Sequence, residues 1–435
     1  MYLVAGLART GQSVIRMARR DGEAVIGYDD DAATAQRVAQ ELGLDRVGST
    51  AAFLEAALPG VDEVIVSPGF PLAHPLRAAA TARGIPVVGD VELAARRTDA
   101  AIVAVTGTNG KSTVTRLITE MLVAAGHGAI EAGNVGYPIL DALEDPAEFY
   151  VVEVSSFQLV DTVNFHPRIG VWTNLSPDHL DWHPDLSHYI ASKARLWANQ
   201  TEADVAVLNA EDPTVMDASS GIAARAVTFG IDRGDAHVAS AALRGPQGED
   251  LGALADMVRP FPHELANGLA AACAVLAAGV DADVCRTVLR NFRGLPHRIQ
   301  LVGHIGGVPC FDDSKATTPA SVLTALRAFP SSVLIAGGKN KGLDLSVLAD
   351  AADRVRAVVA IGAAAEEVVQ AFDGVRPVRR AASMDDAVSL AVDAAQQGDA
   401  VLLSPACTSW DAYSDYAARG DDFARAVRAL AGTPA

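Results

Sequence analysis

The chain has 435 residues, half of them hydrophobic and a fifth charged, with a formal net charge of −18. That length exceeds one ordinary hydrophobic core, so two or three domains are expected. The acidity argues against a chain that coats nucleic acid, because such binding rests on Lys and Arg neutralising phosphates.

In chain order, the N-terminus runs straight into a strand at 2–5, then through alternating helix-like and strand-like stretches (11–21, 24–28, 32–42, 63–67, 74–83, 86–88). It lacks the basic and apolar regions of a signal peptide, and apolar runs elsewhere are broken by Gly, Asp or Arg. A protein of the cytoplasm with no membrane partner is expected. Four scattered cysteines without a C-x-x-C pair fit reduced, buried thiols. The first boundary falls near residue 90. A second unit carries strands near 101–106, 149–154, 168–173 and 204–209, a helix over 187–198, and closing helices over 262–278 and 281–290. Residues 218–250 show no clear period. The segment Asn291 to Pro296 reads as a hinge. Beyond it, a hairpin-like pair (299–304 and 308–312) leads into strands at 332–337, 357–361, 376–380 and 400–404. The fold class is therefore α/β with mainly parallel sheets, in three domains: 1–89, 90–294 and 295–435.

The sharpest motif is Gly107-Thr108-Asn109-Gly110-Lys111-Ser112-Thr113, between an apolar strand and a helix that starts at Lys111. Turn glycines let successive N–H groups converge on phosphate oxygens. The helix N-terminus adds partial positive charge, Lys111 reaches the outer phosphates, and a hydroxyl can hold magnesium. The common G-x-x-x-x-G-K-[ST] form has Gly where this chain has Val105, so the loop is a shortened variant. Glu153 ends a buried strand, where ligands of parallel sheets gather and where Mg²⁺ finds a carboxylate. Asn134 follows the strand-ending Gly133. His179 lies in a polar loop after the next strand, and Lys193 fourteen residues on reads by itself as a solvated helix cation.

At the start, Gly6-Leu7-Ala8-Arg9-Thr10-Gly11 is a dinucleotide-type turn weakened by Ala8, and Asp29 ends the second strand. In the last third, three loops after strands carry Lys, Ser or Thr: Asp312 to Thr318, Gly337 to Gly342, and Ser404 to Asp411. Together they form one face for an anionic substrate. Thr317 or Thr318 is the N-cap of a helix opening at Pro319.

Taken in order, GTNGKS, Gly133-Asn134, EVSSFQL at 153–159, Asn174 to His179, Lys193, Leu295 to Arg298, Asp312 to Thr317 and Ser404 to Cys407 resemble the Mur ligase family from end to end. These are ATP-dependent amide-forming enzymes of peptidoglycan precursor synthesis. The Gly-turn start, Ser67-Pro68-Gly69 and LSPAC-S at 402–409 resemble the branch that adds D-glutamate to UDP-N-acetylmuramoyl-L-alanine. The resemblance implies a Rossmann-like UDP-sugar domain, a P-loop ATPase domain and a Rossmann-like amino-acid domain, working as a cytoplasmic monomer on three small-molecule substrates. It implies that Lys111 holds the ATP phosphates, with Asn267, Arg298 and Asp313 on adenine, phosphate and ribose. Ser112 and Glu153 would ligate one Mg²⁺; His179 and a carbamylated Lys193 would serve a second, with Asn134 near the substrate end. Arg9, Thr10, Asp29, Ser67 and Gly69 would meet the UDP-sugar. Thr317, Lys341 (or its neighbour Lys339), Ser409 and Tyr416 would meet glutamate. The run Asp29-Asp30-Asp31 departs from the Thr/Arg pair of that branch. Alternatives are another Mur-type or folylpolyglutamate-type ligase, against which residues 1–89 speak, and an oxidoreductase using Gly6 to Gly11 for a nicotinamide cofactor, which leaves the later motifs unexplained.

Overall fold

In the computed structural model, which describes residues 1–432, strands and helices alternate as the apolar periodicity predicts. Five parallel strands, β1 (Tyr2–Ala5), β2 (Val25–Tyr28), β3 (Val47–Gly48), β4 (Glu63–Val66) and β5 (Val87–Gly89), form the first sheet in the order β3-β2-β1-β4-β5. The order reverses beside β1, which puts a switch-point crevice at the Gly6 to Gly11 turn.

The second sheet is also parallel. Its strands are β6 (Ala101–Thr106), β7 (Ala129–Gly133), β8 (Phe149–Glu153), β9 (Ile169–Trp172), β10 (Val205–Asn209) and β11 (Arg225–Phe229), in the order β11-β10-β9-β6-β8-β7. The central strand β6 is buried at five successive positions, Ile102 to Thr106, because helices cover both faces. That is why it reads as an unbroken apolar run. Residues without a clear period fold into a small antiparallel sheet of β12 (His237–Ala239), β13 (Ala242–Arg244) and β14 (Asp250–Ala253). The helix expected over 187–198 is α-helical at Leu186–Ala194 and tightens to a 3₁₀ turn over Arg195–Trp197.

The third sheet contains β15 (Gln300–Ile305), β16 (Val308–Asp312), β17 (Ser332–Gly337), β18 (Val355–Ile361), β19 (Val378–Arg380) and β20 (Ala400–Ala406), ordered β15-β16-β20-β17-β18-β19. Only the β15–β16 pair is antiparallel, as the hairpin pattern suggests. Thr318, not Thr317, caps the helix Pro319–Leu326, its hydroxyl accepting from Ser321 N–H.

Two compact units emerge. One holds Met1–Pro260 and Leu265–Phe292, the other Phe261–Glu264 and the chain from Arg293 onward. Within the first, polar contacts tie the first sheet's layer to the second's. Arg77 grips Asp161 through two bonds of 2.6 and 2.9 Å. One oxygen of the buried Glu92 carboxylate accepts the N–H groups of Val163, Asn164 and Phe165 at 2.8–3.0 Å. Among the described residues, no helix is long and apolar enough to cross a membrane.

Candidate nucleotide and metal site

The Gly107 to Ser112 loop leaves the C-terminal end of β6 and enters the helix Lys111–Ala124. Two of its residues must be glycine. Gly107 has φ +146°, and a Cβ there would lie 2.0 Å from Thr173 Oγ1; Gly110 has φ +86°, and its Cβ would lie 2.4 Å from Asn267 Oδ1. Thr173 and Asn174, just past β9, clamp the loop: Thr173 Oγ1 donates to Asn109 O at 2.6 Å, and Asn174 Oδ1 accepts Asn109 N–H at 2.9 Å. Lys111 curls back so that Nζ donates to Gly107 O and Thr108 O at 2.9 and 3.0 Å. The cradle combines a helix N-terminus with the Lys111 ammonium, positive charge suited to polyphosphate.

Beside the loop, the buried Glu153 carboxylate is shared. Ser112 Oγ donates to Oε2 at 2.6 Å, and Asn134 Nδ2 donates to Oε1 at 2.9 Å. Both partners sit where parallel neighbours place them, Asn134 just beyond β7 and Glu153 ending β8. Two hard oxygen donors next to a phosphate cradle match Mg²⁺, which takes few protein ligands and completes its shell with water and phosphate oxygens. No group of three or more His, Cys, Asp or Glu side chains forms a metal cage among the described residues.

Lys193 is no solvated cation. Only 1 % exposed, its Nζ donates to Gly107 O at 2.9 Å and lies 4.8 Å above the Tyr189 ring. Burial, then the Lys111 charge, push its pKa well below the ordinary lysine value. Tyr189 Oη in turn meets Thr108 Oγ1 at 3.1 Å. His179 adopts φ +55°, its imidazole 4.8 Å from the Phe157 ring and its Nε2 3.5 Å from Asp178 Oδ2. Lys111, Ser112, Asn134, Glu153 and Lys193 are thus linked through this one cradle, and Gly110 packs on Asn267 at its edge.

At the first Gly-rich turn, the Asp29 carboxylate is engaged inward, accepting Leu7 N–H at 2.7 Å and Asp31 N–H at 3.0 Å. Ser67 Oγ donates to Gly6 O at 2.6 Å, and Gly69 O accepts from Trp182 Nε1 at 3.0 Å. Arg9 and Thr10 open the helix Arg9–Arg20 beside this turn.

In the second unit, β16, β20 and β17 are neighbours, so their three C-terminal loops share one edge. Asp313 is buried, accepts from Ser404 Oγ at 2.7 Å and is pushed up to about 7 by burial. Lys339 and Thr408 exchange backbone hydrogen bonds of 2.9 and 3.0 Å, pinning the loop that carries Lys341 to the one that carries Ser409. Tyr416 Oη accepts from Lys315 Nζ at 3.2 Å. Thr317 stands in the turn immediately before the Thr318 cap.

Sequence reasoning missed Arg419. Although charged and late in the chain, it is 1 % exposed. Its Nε donates to Ser314 Oγ, and Nη2 to Ser314 O and Cys407 O, at 2.8–3.1 Å. It staples two of the three loops, and burial lowers its pKa to about 10. It also missed His183, 1 % exposed, whose pKa falls to about 4 through burial and then the neighbouring His188, His179 and Lys193. Nothing in a one-residue pattern distinguishes such buried polar groups from surface ones.

Family models cover most of the chain: a Mur ligase MurD-like N-terminal domain at residues 1–89, a Mur ligase middle domain at 105–275 and a Mur ligase glutamate ligase domain at 297–407. The chain is 39% identical over 444 residues to the UDP-N-acetylmuramoylalanine–D-glutamate ligase of Desulfosudis oleivorans, covering 98% of this chain and 96% of that one. It is 41% identical over 455 residues to the protein of the same name from Frankia casuarinae, covering 99% and 94%. Among solved structures, UDP-N-acetylmuramate-alanine ligase from Thermotoga maritima superposes with a TM-score of 0.61 at 19% identity, covering 98% and 99% of the two chains.

Proposed function

The chain belongs to the Mur ligase family, and we propose from that premise that it joins D-glutamate to UDP-N-acetylmuramoyl-L-alanine, using ATP, in peptidoglycan precursor synthesis. The observation that carries this reading is the Glu153 carboxylate held between Ser112 and Asn134 beside the phosphate loop. It is a site for a metal-bound nucleotide with a further polar group on its open side.

Joining a carboxylate to an amine in water is unfavourable, so the carboxylate must first gain a leaving group. The γ-phosphoryl of ATP passes to the alanyl carboxylate, giving an acyl phosphate and ADP. Lys111 and the loop N–H groups stabilise the negative charge in flight. Ser112 and Glu153 are the residues that would hold Mg²⁺, which would supply positive charge to offset that of the polyphosphate. The glutamate amine then attacks the acyl carbon, the tetrahedral intermediate releases phosphate, and the amide remains. His179 is the candidate for taking the amine proton, or for serving a second cation.

Lys193 fits carbamylation. Burial and Lys111 favour its neutral amine, the form that attacks CO₂. The amine nitrogen bonds to the CO₂ carbon, one proton leaves the nitrogen, and a neutral amine becomes an anionic carbamate with oxygen donors. Asn267, beside Gly110, is assigned to adenine, and Arg298 and Asp313 are assigned to phosphate and ribose. Arg9, Thr10, Ser67 and Gly69 are assigned to the UDP-sugar, and Thr317, Lys341, Ser409 and Tyr416 to glutamate. The inward bonds of Asp29 leave it a role in shaping the Gly-rich turn.

The test is ATP-dependent phosphate release with UDP-N-acetylmuramoyl-L-alanine and each glutamate enantiomer. Release with D-glutamate and not with L-glutamate is expected. Release with L-glutamate alone, or without the UDP-sugar, would overturn the reading.

A further inference from the structure

Three chain segments carry the metal-side residues assigned above: the end of β8 with Glu153, the loop with His179, and the helix Leu186–Ala194 with Lys193. His183 touches all three. Its Nε2 lies 2.9 Å from Ser156 Oγ, on the first turn after Glu153. Its backbone N–H donates to His179 O at 2.9 Å, closing the turn in which His179 takes its positive φ. Its Nδ1 lies 2.8 Å from His188 Nδ1, and its ring 5.1 Å from Tyr189, both on the helix that carries Lys193. Ser192, next to Lys193, donates from Oγ to His188 O at 2.6 Å.

The imidazole is surrounded by aromatic surface, stacked on Phe157 at 12° and meeting Trp182 edge-on at 4.7 Å. A phenyl ring would fill that space without the cost of burying two nitrogens. A neutral imidazole has one N–H and one lone pair, and here each nitrogen faces a partner able to take the complementary role. Such a two-ended bond fixes direction as well as distance, which packing alone does not.

We infer that His183 is a positioning residue for the metal-nucleotide site: its bonds to Ser156 and His188 hold Glu153, His179 and Lys193 in one register. The inference rests on the metal assignment proposed above. Partners of this kind, one shell behind a ligand, typically change metal affinity ten- to a hundredfold.

The test uses the full chain with Mn²⁺ as probe, free Mn²⁺ being read by electron paramagnetic resonance in the presence of ADP. ADP binding in EDTA is read by calorimetry, and the melting temperature in parallel. His183→Phe is expected to weaken Mn²⁺–ADP binding at least ~tenfold, leave metal-free ADP binding within about twofold, and shift kcat more than KM for glutamate. His183→Asn, which retains a hydrogen-bonding edge, is expected to recover part of the loss. Ser156→Ala removes one bond without touching the ring, and is expected to move Mn²⁺ affinity in the same direction; it decides the matter where His183→Phe does not fold. Unchanged Mn²⁺ affinity in these variants, or an equal loss with and without metal, would overturn the inference. Glu153→Gln separates the two claims. If it leaves Mn²⁺ binding intact, the metal assignment itself fails; if it weakens binding while His183→Phe does not, only the role of His183 fails.

Discussion

Lys111 and Lys193 converge on one oxygen, each placing its Nζ 2.9 Å from the carbonyl of Gly107. Two ammonium groups on one acceptor repel each other, and the buried one yields its proton more readily. The proposed carbamylation of Lys193 draws on this crowding, which favours its neutral amine.

Lys193→Met tests this in CO₂-depleted buffer. Because the folded pKa of Lys193 lies below its unfolded value, the unfolded chain binds a proton that the folded chain does not. The penalty is full below the folded pKa and fades as pH rises toward the ordinary lysine value. The variant is expected to be more stable at pH 7, by about 1–4 kcal/mol, with the advantage narrowing toward pH 10. Amide synthesis should be lost. Chemical denaturation across that pH range measures the first effect, and phosphate release the second.

Gly110→Ala forces a side chain into Asn267 from a left-handed backbone. Expected results are a KM for ATP raised at least ~tenfold and a destabilisation of about 1–3 kcal/mol. Steady-state kinetics with varied ATP and a thermal melt check both.

Asp313 gives a pH signature. Its folded pKa of about 7 stands above the unfolded carboxylate value, so its contribution is present at low pH and lost as pH rises toward 7. The melting temperature of the wild type should fall more steeply between pH 4 and 7 than that of Asp313→Asn, by an amount on the order of 1–4 kcal/mol in stability. Parallel slopes for the two proteins would contradict the assignment.

Arg419→Met removes three hydrogen bonds from Ser314 and Cys407 and relieves a buried charge. Loosening of both loops is expected to raise KM for glutamate at least ~fivefold while KM for ATP moves little. The cost of orphaning the acceptors is about 1–3 kcal/mol each at most, offset in part by the lost desolvation penalty. Kinetics with each substrate varied in turn distinguish the two effects.

Much of the architecture was legible because parallel sheets write themselves as apolar runs ending in Gly-rich turns. The runs expected at 101–106 and 149–154 are strands at 101–106 and 149–153, with the turns at Gly107 and Gly133 beside them. The small sheet after β11 was not legible, since three strands of three or four residues give too few alternations for a period. Ser112, Glu153 and Asn134 follow from strand ends in neighbouring register. The burial of Lys193, His183 and Arg419 does not, because it depends on what the rest of the chain stacks over them. Asp29 was readable as a nucleotide contact from position alone; its bond to Leu7 N–H depends on how tightly the turn closes.

The three N–H groups gathered on Glu92 and the Arg77 to Asp161 pair join the layer that carries the first Gly-rich turn to the layer that carries the phosphate loop. On the site assignment proposed above, layers joined in this way would act as a gauge for molecular length. A UDP-sugar anchored on the first layer would deliver its free carboxylate to the second only when the intervening sugar and peptide have the right reach. A substrate shorter or longer by one residue would present its carboxylate out of line, so selection by length needs no pocket that recognises the missing or extra residue.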